Sequence, residues 1–374
     1  MKHFIFALFI GTFPFCVNAA EPLLKPEKAI ILPEGQIHPD GMTVSSSGDI
    51  ILAVPVIGTK GNAQLLKIDA DDQVEKYFEL SAHPETGRVT PLGISFGPDG
   101  NLYIADSQCL GGNPNHKSRI LRVLHNGGKP YQEEVLVFGI VQANGLEIFD
   151  GKIYVAETQI DPQIVELPFV TGVFRFGIDE FRPVTAPRRG RLLRRTVETQ
   201  EPLYVSPYQS DPHFVFNFKT GENDPNAQKV GANGIGLAKD GTLYVANFGD
   251  KKIVEVKFDK NGNAASHRNV NTESPFDSVD GLKVCPKGYI FFADYVGNAV
   301  WALNPKNGKT VLLAKNALNP DAEQKKAGAL DRCSEVCLRG TKLYVSNIDL
   351  ETPDSPSTVS VFNLEGLDFD ELLK

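Results

Sequence analysis

The chain has 374 residues, of which 41% are hydrophobic, and its formal net charge at pH 7 is −8. An acidic balance of this kind argues against nucleic-acid binding, which generally requires a basic face. After the first twenty residues no apolar stretch approaches the ~20 residues of a membrane span, so we expect no transmembrane segment.

The N-terminal residues have the pattern of an export signal. Lys2 and His3 give a basic start, and residues 4–15 form an apolar run that is too short to cross a bilayer. Val17 and Ala19 occupy the positions that signal peptidase reads. We therefore predict a signal peptide over residues 1–19 and an exported mature chain, 20–374, in the periplasm or outside the cell.

Four cysteines remain after this signal: Cys109, Cys285, Cys333 and Cys337. An even number in an oxidising compartment permits up to two disulfides, but a chain of this length can bury an adequate core without any. Cys333 and Cys337 match no zinc-binding pattern. The sequence leaves disulfide pairing open.

One phrase recurs along the chain: a short apolar strand, a turn rich in Gly, Asp or Pro, and a second strand that ends in an acid or amide. Its six copies are PDGMTVSSSGDIILAVP, PLGISFGPDGNLYIADS, ANGLEIFDGKIYVAET, ANGIGLAKDGTLYVANF, VDGLKVCPKGYIFFADY and CSEVCLRGTKLYVSNI. Their period is about 50 residues, with an insertion of about 37 in one copy, as is typical of four-stranded propeller blades. We predict an all-β, six-bladed β-propeller that forms a single domain over 20–374.

The predicted blades can be filled with strands and the ring can be closed. In the second blade we expect strands at 93–96, 102–105, 120–124 and 134–138. The last blade lacks a fourth strand after 358–362, and the first copy is preceded by a spare strand at 28–32. Pairing these two segments would close the ring without an open sheet edge.

The residue that opens each first strand is expected to point at the channel axis from one face. By our count these openers are Asp40, Leu92, Asn144, Asn233, Asp280 and Cys333, with Ser334 and Glu335 beside the last. Two carboxylates and two amides form an all-oxygen cluster that suits Ca²⁺. The alternative is that these Asp-Gly and Asn-Gly pairs favour tight turns, as we expect for Asp99-Gly100 and Asp240-Gly241 on the opposite face.

A second set of polar residues ends the second strands. We expect these side chains to bind backbone groups of neighbouring loops rather than to act in catalysis. They are Asp106, Glu157, Asn247, Asp294 and Asn347.

The phrases ANGIGLAKDGTLYVANF and VDGLKVCPKGYIFFADY resemble those of the gluconolactonase, regucalcin (senescence marker protein) and paraoxonase-like group of calcium-dependent six-bladed propellers. The resemblance implies one Ca²⁺ held by residues of the first, third, fourth and fifth blades, which here are Asp40, Asn144, Asn233 and Asp280. Two positions depart from the group's pattern. Asp40 stands where Glu is common, and Leu92 stands where paraoxonase-like members have a catalytic histidine.

This resemblance implies hydrolysis of a small lactone or ester, with the metal polarising the carbonyl and Asp280 activating water. His38 and His116 are alternative proton carriers. One rival is a non-catalytic propeller with a structural calcium that binds a peptide, sugar or metabolite. Another is a lyase, or a relative of strictosidine synthase in which Glu335 would take the catalytic acid's place. We take a monomer as the default state.

The insertion falls in the third blade at about 178–211. It contains six arginines, namely Arg182, Arg188, Arg189, Arg191, Arg194 and Arg195. We expect it to follow the third strand and to lie on the face opposite the metal, as a solvated loop or a docking segment for an acidic partner or membrane surface.

Overall fold

The computed structural model describes residues 21–110, 116–161, 166–181, 203–204, 211–351 and 356–374. The predicted signal peptide and the six arginines of the insertion lie outside the described residues. Within the described ranges, every helix is too short and too polar to traverse a bilayer.

The described strands form six antiparallel sheets of four strands, one of which gains a short fifth strand. Strand β1 (Lys28–Ile31) belongs to the last sheet. Blade 1 follows as β2 (Met42–Val44), β3 (Ile50–Val54), β4 (Ala63–Ile68) and β5 (Val74–Leu80). Blade 2 is β6 (Pro91–Phe96), β7 (Leu102–Asp106), β8 (Ser118–Asn126) and β9 (Lys129–Ile140). Blade 3 is β10 (Ala143–Phe149), β11 (Lys152–Glu157), β12 (Phe169–Gly177) and, after β13 (Leu203–Tyr204), β14 (Phe214–Thr220).

The second half of the chain continues the pattern. Blade 4 is β15 (Ala232–Leu237), β16 (Leu243–Asn247), β17 (Lys252–Phe258) and β18 (Ala264–Asn269). Blade 5 is β19 (Leu282–Val284), β20 (Ile290–Asp294), β21 (Ala299–Leu303) and β22 (Thr310–Lys315). Blade 6 is β23 (Cys333–Arg339), β24 (Lys342–Asn347) and β25 (Thr358–Asn363), and short helices α1 (Ala322–Lys326) and α2 (Phe369–Leu372) lie between and after the blades.

This arrangement confirms the predicted six-bladed propeller. Each expected strand of blade 2 is present, and β8 and β9 extend well beyond the predicted limits. The predicted closure is also confirmed, because β1 pairs antiparallel with β25, with Lys28 opposite Val361 and Ile31 opposite Thr358. Each sheet therefore has a neighbour on both sides.

The hydrophobic core is divided among the interfaces between blades. Six clusters of buried side chains lie in the described chain, one at each of the six interfaces. Alternate residues of a strand enter different clusters: Ile50 packs between blades 6 and 1, whereas Ile51 packs between blades 1 and 2. This explains why the second strand of blade 1 is buried along its whole length.

The segment predicted as an insertion follows the third strand of blade 3. It leaves after β12, whose last residue Gly177 pairs with Lys152, and the Ile178 amide donates to the Gly151 carbonyl at 2.9 Å. Gly151 belongs to the turn between β10 and β11, on the face opposite the strand openers. Residues 203–204 then pair in parallel with β9 of blade 2.

All four cysteines of the described chain are free thiols. Cys333 and Cys337 lie on the same strand, β23, and are buried, whereas Cys109 and Cys285 are half-buried.

The closure of the ring can be tested on β1, where adjacent side chains face opposite ways. Ile30 is 4% exposed within the cluster between blades 6 and 1, and Ile31 is 50% exposed. We expect Ile30→Asp to lower the free energy of unfolding by about 3 kcal/mol or more, because it buries an unpaired charge. Ile31→Asp is the matched control and should change it by no more than about 0.5 kcal/mol. Equal effects in urea unfolding would contradict the closure.

Candidate active site at the mouth of the channel

The openers of successive blades are in direct contact through their backbones. A β-carbon added to Gly145 would lie 3.0 Å from the Cα of Gly234, and one added to Gly281 would lie 2.5 Å from the Ser334 carbonyl oxygen. The amides of Gly234 and Gly281 donate to the carbonyls of Asp280 and Ser334 at 3.2 Å and 2.7 Å. The predicted convergence of openers at the axis is therefore confirmed.

One opener was assigned wrongly by the repeat count. Cys333 pairs with Asn347 as Ala143 pairs with Glu157, so Cys333 precedes the opener position and Ser334 occupies it. Glu335 then falls where each of the five other blades has a glycine directly after its opener. Blade 6 lacks an Asp-Gly or Asn-Gly pair to mark the frame, and only the strand pairing reveals the shift of one residue.

The two carboxylates predicted as metal ligands lie in an electrostatically unfavourable place. Burial raises the pKa of Asp40 to about 6, although a hydrogen bond with Ser334 acts in the opposite direction. Burial, followed by the charges of Asp40 and Glu335, raises the pKa of Asp280 well above its usual range, against a hydrogen bond from Asn233. These carboxylates are thus close enough to repel one another.

Glu335 extends this acidic cluster into the channel. Its pKa is raised to about 7 by burial, and Lys283 lowers it while Asp40 raises it. Its Oε1 accepts the Val336 amide at 2.8 Å and would lie 2.6 Å from a β-carbon on Gly281. The glycine that follows Asp280 therefore leaves the space that the Glu335 carboxyl occupies.

A polar column crosses the channel beside Glu335. Lys283 of blade 5 reaches past blade 4 to Glu147 of blade 3, with Nζ 3.1 Å from Oε2, and Ser95 of blade 2 donates to Glu147 Oε1 at 2.7 Å. Burial lowers the pKa of Lys283, but Glu147 and Glu335 raise it overall. This lysine is therefore already shared between two carboxylates and does not neutralise Asp40 or Asp280.

The residues that end the second strands hold the segments leading into the openers. Asp106 accepts the Thr90 amide at 2.8 Å, Glu157 accepts the Val141 and Gln142 amides, and Asp294 accepts the Asp277 and Ser278 amides. Asn347 likewise accepts the Asp331 amide at 3.0 Å. The predicted supporting role is confirmed for these four. Asn247 also binds a backbone group of its neighbour, because its Nδ2 donates to the Lys219 carbonyl at 3.5 Å, but its Oδ1 accepts from the Thr220 hydroxyl of blade 3 rather than from an amide.

The two candidate histidines are held by backbone carbonyls. His38 is 6% exposed, and its Nδ1 lies 2.9 Å from the Ile348 carbonyl oxygen, so this nitrogen donates. His116 is half-buried, with Nδ1 3.3 Å from the Gly139 carbonyl oxygen. At the opener of blade 2, Leu92 is only 2% exposed and fills its place with an apolar side chain.

Two further residues at this rim were not singled out from the sequence. Burial raises the pKa of Tyr295 to about 12, and Glu351 and Asp280 add to the rise. The Arg332 guanidinium lies over the Tyr295 ring at 5.5 Å and donates to Glu351 at 2.5 Å. Their positions in the repeat could have identified them as rim residues. Tyr295 follows Asp294 at the end of a second strand, and Arg332 precedes the blade 6 opener by two residues.

The side-chain oxygens at the mouth are the kind of ligand that a hard cation prefers. Asp40 and Asp280 offer carboxylate oxygens, and Asn144 and Asn233 can add amide oxygens, the ligand type that Ca²⁺ accepts. In the ranges that the structure describes, no three His, Cys, Asp or Glu side chains form a metal-binding group. A metal at this mouth would therefore depend on the two asparagines.

The acidic cluster predicts how stability depends on pH when divalent cations are removed. The folded pKa of Asp40, about 6, exceeds its ordinary value of 3.8, and that of Glu335, about 7, exceeds 4.5. Both groups therefore stabilise the fold below pH 4, and this contribution is lost as pH rises towards 7. We expect urea unfolding in chelator to show a decline of up to about 3 kcal/mol from Asp40, which Asp40→Asn should remove. An unchanged pH slope in the variant would contradict the cluster.

Comparison with known proteins places the chain by structure rather than by sequence. No protein-family model matches it, and no curated protein matches it. Solved six-bladed propellers do match over nearly the whole chain, which defines the class to which this fold belongs.

Three of these structures indicate the range of activities on this fold. A luciferin-regenerating enzyme is 14% identical with a TM-score of 0.55, over 92% of this chain and 96% of its own. A gluconolactonase from Xanthomonas campestris is 13% identical with a TM-score of 0.54, over 93% and 99%. A PQQ-bound aldose sugar dehydrogenase from Streptomyces coelicolor is 13% identical with a TM-score of 0.52, over 92% and 98%. The chain is similar in fold to gluconolactonase-type propellers, as the blade phrases implied.

Proposed function

We propose that this chain is an exported, calcium-dependent hydrolase that acts on a small lactone or ester at the mouth of its channel. The observation that carries the proposal is the cluster of Asp40 and Asp280 with Asn233, in which burial raises the pKa of both carboxylates and the charge of Asp40 adds to the rise at Asp280. Lys283, a lysine beside this cluster in the described chain, is paired with Glu147. The fold similarity to a gluconolactonase supports the same class of reaction.

Asp40, Asn144, Asn233 and Asp280 would hold the cation. When bound, Ca²⁺ supplies Lewis-acid polarisation of the substrate carbonyl. Asp280 accepts a proton from water as its oxygen adds to the carbonyl carbon, and returns the proton to the alkoxide when the C–O bond breaks. The net reaction consumes one water, and a bound cation would keep Asp280 ionised so that it can accept the proton.

Export to the periplasm or the exterior rests on the N-terminal pattern of basic residues, apolar run and small residues. The mature propeller would then meet its substrate outside the cytoplasm. Millimolar calcium is common in such compartments and would suit a site with only two carboxylates.

A binding propeller with a structural calcium is the second candidate. The observation that favours it is Leu92, which puts a buried apolar side chain where a histidine base would be needed in paraoxonase-like chemistry. The two candidates share the metal and differ in turnover. Separate measurements of metal and of activity therefore distinguish them.

Metal binding is tested with Asn233→Ala, and Asp240→Ala, in a hairpin turn on the opposite face, serves as the control. We expect elemental analysis to find about one calcium per wild-type chain and per control chain, and less in Asn233→Ala. At a free calcium concentration of about a hundred times the dissociation constant, the free energy of unfolding of the wild type should rise by about 2.7 kcal/mol, since calcium binds only the folded state. Wild-type protein without calcium and without a melting shift would refute the site.

Turnover is tested on aliphatic, aromatic and sugar lactones with and without chelator. We expect calcium-dependent hydrolysis by the wild type and by Asp240→Ala, and a loss of at least about a hundredfold in Asp280→Asn, which removes the base. Activity that survives in Asp280→Asn with calcium bound would remove this residue from the mechanism. Calcium binding without any turnover would favour the binding propeller.

A further inference from the structure

A second concave site lies on the face opposite the openers, between blades 1 and 2. This cleft, the blade 1–2 cleft, has a volume of about 640 Å³, within the range of small-molecule sites. It is bounded by the turn between β2 and β3, the turn between β6 and β7, and the hairpin between β8 and β9. It shares no residue with the mouth of the channel.

One wall of the cleft is aromatic. Tyr77 Oη lies 2.6 Å from His125 Nε2, and His125 Nδ1 lies 2.9 Å from the Val123 carbonyl oxygen. Because a carbonyl only accepts, Nδ1 carries the proton and Nε2 accepts from the tyrosine. Phe96 meets the imidazole edge-on with ring centroids 5.6 Å apart. The three half-buried rings form a fixed apolar surface with solvent access on the cleft side.

The facing wall is built of hydroxyls and a carboxylate. Ser45 Oγ lies 2.8 Å from Ser47 Oγ, and Ser47 donates to Asp49 Oδ2 at 2.8 Å. Ser46 and Ser47 are exposed. A row of this kind offers both donors and an acceptor to a ligand that carries several hydroxyl groups.

The charges around the cleft are largely balanced. Lys67 pairs with Glu75, and Lys76 pairs with Glu79 at 2.9 Å. Asp49 and Lys129 then remain as one charge of each sign. A cleft without a strong net field favours a neutral polar ligand over a phosphate or an acidic peptide.

A comparable cleft between blades 3 and 4 shows why this one is distinctive. That cleft has a volume of about 620 Å³, but the guanidinium of Arg175 lies over the Phe258 ring at 5.4 Å and covers its face. Lys152, Lys257 and Lys260 line it as well. The aromatic surface is therefore available in the blade 1–2 cleft and covered in the blade 3–4 cleft.

We propose that the blade 1–2 cleft binds a neutral carbohydrate of about disaccharide size. The C–H face of a sugar ring would stack on Tyr77 and Phe96, and its hydroxyls would bond with Ser47, Asp49 and Lys129. Gly127 and Gly128 form an open edge, because a β-carbon on either would meet no atom within 4 Å. The site would keep the protein on a glycan or polysaccharide surface while the opposite face stays free.

The test uses the full-length mature chain with cellobiose, maltose and N,N′-diacetylchitobiose as probes. Saturation-transfer NMR detects contact, and calorimetric titration gives the dissociation constant. We expect at least one disaccharide to bind, and Tyr77→Ala and Asp49→Asn each to weaken it by about tenfold or more. Asp240→Asn, which alters the equivalent turn lining the blade 3–4 cleft, should leave binding unchanged.

Binding that both cleft variants leave unchanged would overturn the proposal, as would no binding of any probe at about 20 mM, where even a millimolar site would be mostly occupied. Thermal melts show whether Tyr77→Ala remains folded, and Asp49→Asn tests the site without removing core atoms. Lactone hydrolysis, measured on the same samples, should be unaffected by either variant. Failure of the channel-mouth mechanism would leave this result intact.

Discussion

The close approach of the six innermost strands at the axis is the constraint on which the rest of the structure depends. Gly41, Gly93, Gly145, Gly234 and Gly281 each lie where a β-carbon would overlap the backbone of the next blade. Since glycine has no side chain to hold these strands apart, the residue before each glycine is brought to a common mouth. The same packing allows six interblade cores to form around the ring.

This geometry places like charges together, and the surrounding structure only partly compensates for them. Ser334 and Asn233 each supply a hydrogen bond to one carboxylate, while Lys283 is shared with Glu147. A cluster of buried carboxylates destabilises the folded state unless one of them is protonated or a cation binds to it. Asp106 and Asp294, at the ends of second strands, hold the segments that lead into the openers by accepting backbone amides.

The two faces of the ring differ in their chemistry because the loops alternate between them. The opener face gathers residues from all six blades and can concentrate charge at one point. The opposite face has hairpin turns that form separate clefts between adjacent blades, and each cleft is set by two blades alone. A polar reactive centre and an independent binding surface can therefore occupy one propeller without sharing residues.

The sequence by itself determined the number of blades and the closure by the N-terminal strand, because strand alternation and turn residues are local properties that a repeat makes visible. It also placed Asp40, Asn144, Asn233 and Asp280 at one mouth. The tertiary structure decided the frame of blade 6, where Ser334 rather than Cys333 is the opener, since strand pairing sets register when no glycine marks it. It also decided the Lys283–Glu147 ion pair and the Tyr77–His125 pair, because these contacts join residues from different blades that no local pattern relates.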